Sequence, residues 1–254
     1  MKFQFKINKY YLLIHALGQA DLPFPEWVNL QNRLWEKFPK SFYLLTFHSE
    51  VVFIGDNPLR ELTETCQETK KFIREALKSK EFQRLYQETE KYLSFIKNQW
   101  TKNKKEAIRI FKELSGLEVP DKTITVLITH PKLKNGFAMP RYNTIGWGHS
   151  EDWKNYSTVY LCHEIMHLLT KNTKTMHALI QLMTDNELRI RLNKKGRYFT
   201  YKKITQATKM PPYFKELWQL EKKIYPYWKE YLKDKKGRNI IDLEKEIERK
   251  IKKH

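Results

Sequence analysis

The chain has 254 residues, enough to bury a substantial core as one large domain or two lobes. Its 41% hydrophobic and 14% aromatic residues exclude a disordered polymer. The net charge of +19 admits anionic partners such as nucleic acid, an acidic protein or a membrane surface. The lysines are scattered through every segment, however, so a solvated basic surface explains the charge without any partner. Two cysteines, Cys66 and Cys162, make no disulfide framework, and Cys162 reads as a packing residue on an apolar helix. No signal-like apolar run follows Met1, and no 18-residue apolar stretch occurs, which predicts a cytoplasmic protein without a transmembrane segment.

In chain order, Phe3, Phe5 and Ile7 alternate with polar residues and predict a short strand. A helix is expected after Pro25, carrying Trp27, Leu30, Leu34 and Phe38 inward. Phe42 to Ile54 is strand-like and broken by His48-Ser49-Glu50, a hairpin pattern. His15 and His48 lack ligand spacing and read as ordinary structural histidines. From Lys80 to Leu114, Phe82, Tyr86, Thr89, Leu93, Ile96, Trp100, Ala107, Phe111 and Leu114 recur at helical spacing, so one long amphipathic helix is expected. Ser115-Gly116 ends it and Pro120-Asp121 turns the chain. Ile124 to Thr129 is a β-branched strand, followed by short strand candidates at 136–139 and 143–148. Ser150-Glu151-Asp152 offers a cap and two acids to the next helix. A helix over Thr175–Asn193 closes at Lys194-Lys195-Gly196. Beyond the break at Met210-Pro211-Pro212 come helices over Tyr213–Leu232 and Asn239–Lys252.

The chemistry concentrates at His163-Glu164-Ile165-Met166-His167. Residues four apart on a helix share a face, so His163 and His167 project side by side and can grip one Zn²⁺. Glu164 lies one step around, placed to take a proton from a metal-activated water. A catalytic zinc wants a third protein ligand. Met176, Ile180, Met183, Glu187 and Ile190 form the inward stripe of the next helix. A carboxylate on that stripe is costly to bury without a cation, which makes Glu187 the candidate.

This pattern resembles the gluzincin zinc metallopeptidases, including thermolysin-like enzymes and related aminopeptidases. They carry HExxH on one helix and a ligand Glu, often in an Asn-Glu pair, on the next; here Asn186-Glu187 stands at the thermolysin-like distance. The resemblance covers roughly residues 80–200 and implies an α+β fold: a small mixed sheet with a zincin-like HExxH helix and glutamate helix, then a helical C-terminal region. The corresponding division is a mixed α/β region over 1–79, a catalytic domain over 80–200 and a helical region over 201–254. It implies a zinc peptidase acting on peptide or protein substrates, with metal on His163, His167 and Glu187 and with Glu164 as general base. Tyr142 to Gly148 is similar to the edge strand that binds extended substrate in such enzymes, or is a plain hairpin strand. Tyr198 and Tyr201 are candidates for stabilising the oxyanion. Arg191 stands where thermolysin-like members often have an Asp, leaving Asp185 or a backbone carbonyl to orient His163.

Two alternatives remain. His177 would close a three-histidine site, as in SprT-like DNA-associated proteases, but on a continuous helix it faces about 80° away from Glu187. The inward stripe favours Glu187. Metzincin ligation is excluded, because Thr170 and Thr173 occupy the required Gly and His positions. The second is a basic DNA- or partner-binding protein with a vestigial or structural zinc, which no nucleic-acid-binding motif supports.

Overall fold

The computed structural model describes residues 2–18, 25–39, 67–119, 121–199 and 212–251. Within them the chain is a mostly helical α+β fold carrying one four-stranded mixed sheet. The first three helices are α1 (Lys9–Leu17), α2 (Pro25–Lys37) and α3 (Gln67–Lys78). The fourth, α4 (Lys80–Ser115), is the spine, and its 36 residues span about 54 Å. Ser79 caps it by accepting from the Phe82 N–H at 3.1 Å. Gly116 ends it in the left-handed region at φ 66°, with its N–H returned to the Lys112 carbonyl. A Cβ there would also stand 3.0 Å from the Asn239 Cα, so both the backbone angle and the close approach call for glycine.

The spine joins two apolar clusters. Phe82 and Leu85 pack with α1, α2 and α3 in the smaller one. Tyr92, Ile96, Trp100, Ile110, Phe111 and Leu114 enter the larger one with the sheet and the later helices.

The strands are β1 (Lys2–Lys6), β2 (Thr123–Ile128), β3 (Asn135–Met139) and β4 (Thr144–Gly148), in the order β1-β2-β4-β3. The first three in that order run parallel, and β3 is antiparallel to β4. Alternation sends Ile145 and Trp147 into the larger cluster, while Gly146 lies on the opposite face against the Tyr11 phenol of α1. The strand compared above with a substrate-binding edge, β4, is therefore internal, and every one of its residues is buried. The edge beside it is β3.

Helix α5 (Tyr156–Leu169) carries the HExxH motif and packs on α4, β3 and β4. The helix expected over 175–193 is three pieces: α6 (Lys174–Ile180), a π-helical segment over Gln181–Leu188, and α7 (Arg189–Asn193). Helices α8 (Pro212–Lys233) and α9 (Ile240–Ile251) complete the fold. Packing crosses both divisions drawn from the sequence: β1 joins the sheet of the 80–200 stretch, and α8 and α9 share the larger cluster with α4 and α5. The hairpin expected over Phe42–Ile54, His48, Cys66, Pro120, Tyr201 and the break at 210–211 lie outside the described residues. Among the described residues no helix is long and apolar enough to cross a membrane.

Candidate metal centre

Helix α5 is pinned before the motif begins. Its early N–H groups find side-chain acceptors: Ser157 donates to the Glu151 carboxylate at 3.0 Å and Thr158 to Gln99 Oε1 at 2.9 Å. The Trp147 indole donates to Ser157 Oγ at 3.0 Å, tying the helix to β4. Two turns on, the motif faces the π segment and α6.

His163 is only 5% exposed, and its Nδ1–H donates to Asp185 Oδ1 at 2.9 Å. The Thr184 hydroxyl lies 2.8 Å from the same oxygen and holds that carboxylate in place. This leaves His163 Nε2 facing His167 Nε2 at 3.2 Å. Two nitrogens each about 2.0–2.1 Å from one tetrahedral ion would lie about 3.3–3.4 Å apart, so this spacing suits a shared metal. The His177 ring closes the group, with centroids 5.5 Å from His163 and 4.9 Å from His167. One ligand atom from each of the three lies within 4.8 Å of the others. Three imidazole nitrogens are a donor set that zinc accepts. Burial, with His163 and His177 adding to it, lowers the His167 pKa to about 3, so that ring is neutral and able to ligate. At His163 burial pulls the same way, but the surrounding carboxylates, Asp185 first and then Glu164 and Glu221, together outweigh it and the net shift is upward.

Glu164 lies next to His163, 7% exposed, beneath the edge strand. The Ala138 backbone N–H of β3 hydrogen-bonds its carboxylate, and burial outweighs the pull of His163 to push its pKa up to about 7. Gly136 of the same strand lies over it, near enough that a Cβ there would stand 3.6 Å from Glu164 Oε1, an ordinary contact.

Glu187 is placed elsewhere. Its carboxylate accepts from Arg191 Nε at 2.7 Å and from the Tyr198 hydroxyl, and Arg191 continues to Glu113 at 2.5 Å. The inward carboxylate does find a cation, and that cation is the Arg191 guanidinium four residues on. The stripe that favoured Glu187 was drawn at 3.6 residues per turn. The π segment has wider turns, so register is lost across it, and Asp185 faces α5 instead. Tyr198 is likewise occupied, donating to Glu187 and accepting from Trp228 Nε1 at 3.0 Å.

The signal for His177 lay in the turn. Residues 170–173 join α5 to α6, so residues at similar distances before and after that turn come to face each other. His167 and His177 are such a pair. Compared with protein families, curated proteins and solved structures, the chain matches none.

Proposed function

We propose that this chain is a zinc-dependent peptidase whose metal is held by His163, His167 and His177 and whose general base is Glu164. The observation that carries the reading is the convergence of three imidazoles beside a buried carboxyl whose pKa lies near neutrality. A general base works best when its pKa is close to the operating pH. Zinc in such a site supplies Lewis acidity, which lowers the pKa of water and polarises a carbonyl. Glu164 takes the proton of the attacking water and delivers it to the leaving amine. Asp185 holds His163 in the tautomer that offers Nε2. Strand β3 has a rim unpaired by any strand among the described residues, and it runs beside Glu164. An extended peptide added there by main-chain hydrogen bonds would bring its carbonyls past the site.

The test is metal content together with turnover. Wild type is expected to carry about one zinc per chain and to cleave an unfolded protein such as casein. His177→Ala should strip the metal, and Glu187→Ala should leave it. The reverse result would return Glu187 to the ligand set, and a chain that takes up no zinc at all would end the peptidase reading.

A further inference from the structure

Outside the three rings, the first turn of α8 reaches the centre. Tyr213 there is 46% exposed, yet its hydroxyl lies 3.1 Å from His177 Nδ1. A second contact stands beside the first: Lys174 Nζ pairs with Glu216 at 2.5 Å and also lies 6.0 Å over the Tyr213 ring. Lys174 and His177 are three residues apart and share one face of α6; Tyr213 and Glu216 are three apart and share one face of α8. The two pairs meet face to face, with an exposed ion pair running alongside the contact between Tyr213 and His177.

We infer that Tyr213 is a positioning residue for the metal centre: its phenol oxygen accepts the Nδ1–H of His177, fixing the tautomer and the ring orientation that turn Nε2 toward His163 and His167. This inference rests on the proposed ligand set. Ligating histidines characteristically donate the other ring N–H to an outer acceptor. His163 does so to Asp185, and Tyr213 supplies the matching acceptor for His177. The arrangement makes α8, which lies outside the motif-bearing stretch, a part of the centre.

Tyr213→Phe keeps the ring and removes only the acceptor. Competition with a chelator of known affinity should show zinc bound about 10- to 100-fold more weakly than in wild type, the usual range for losing an outer partner of a ligand histidine. Cobalt-substituted Tyr213→Phe should show altered d–d absorption, and Tyr213→Gln, which restores an acceptor, should recover part of the affinity. Glu216→Gln breaks the neighbouring ion pair without touching His177 and should bind zinc as wild type does. If Tyr213→Phe holds zinc with wild-type affinity while His177→Ala loses it, the positioning role is wrong and the ligand set stands. If Glu216→Gln weakens zinc as much as Tyr213→Phe, the effect is docking of α8 and the role is equally wrong. If wild type binds no zinc, both readings fall together.

Discussion

Replacing Glu164 by Gln should stabilise the metal-free protein at neutral pH while abolishing turnover. Burial raises the Glu164 carboxyl from its ordinary 4.5 to about 7. Between those pH values the unfolded chain has released the proton and the folded chain still holds it. Raising the pH through that window therefore draws the equilibrium toward the unfolded state. At about 1.4 kcal/mol per pKa unit, the loss is about 3 kcal/mol by pH 8. Glutamine has no proton to lose, and its amide oxygen still accepts from the Ala138 N–H. Denaturant melts of chelator-treated wild type and Glu164→Gln should agree near pH 4.5 and separate by about 3 kcal/mol at pH 8, the variant being the more stable. In the zinc-loaded proteins the same substitution should lower cleavage roughly 10²–10⁴-fold with zinc content unchanged. Parallel stability profiles from pH 4.5 to 8 would refute the buried-carboxylate account, whatever happened to activity.

Asp185→Asn should weaken zinc about 10- to 100-fold, because an amide is a poorer acceptor for His163 Nδ1–H; chelator competition measures it. Gly148→Ala should destabilise the fold by several kcal/mol or prevent folding. A Cβ there would clash with Thr129 Oγ1 and stand 2.8 and 2.9 Å from the backbone oxygens of Thr129 and His130, in a strand with no exposed residue. Thermal melting beside Gly136→Ala, whose Cβ would meet nothing closer than 3.4 Å, separates crowding from a general intolerance of glycine replacement in the sheet. If +19 serves only to solvate the surface, duplex DNA should bind no tighter than about 10⁻⁴–10⁻⁶ M at physiological salt; titration by fluorescence anisotropy checks this, and a nanomolar complex would contradict it.

Much of the fold follows from local signals. The long helix is marked by its apolar repeat and by Ser115-Gly116 at its end, and α4 spans Lys80–Ser115 accordingly. The strands near 124–129, 136–139 and 143–148 lie within a residue or so of those observed, since β-branched and glycine patterns are short-range. Sheet order is a different matter. That β3 forms the edge beside the site depends on β4 pairing in parallel with β2 while β3 takes its other side, and no local pattern carries that. At the site, the side-by-side histidines of HExxH are evident because they need only helical spacing, whereas Asp185 and a backbone carbonyl are equal candidates for His163 Nδ1 until the fold places Asp185 there. The structure gathers His177 with His163 and His167 and pairs Glu187 with Arg191, an arrangement that spacing at 3.6 residues per turn does not carry across the π segment. Arg191, four residues after Glu187, supplies a cation for that carboxylate from the same helix, a partner that the apolar stripe alone does not disclose.

The pairing of β1 with β2 bears on how the chain is made. Phe3 finds its partner at Ile124, so β1 waits through about 120 residues of synthesis before it can be hydrogen-bonded. Until then Phe3 and Phe5 are exposed on a strand with two open edges, a template for pairing with other chains. A fragment beginning at Lys80 inverts the problem, since β2 then presents the open edge that β1 would have covered. Such a fragment would keep every residue of the histidine cluster and still self-associate through its sheet. Expression of this protein in pieces is therefore expected to fail at solubility before it fails at metal binding.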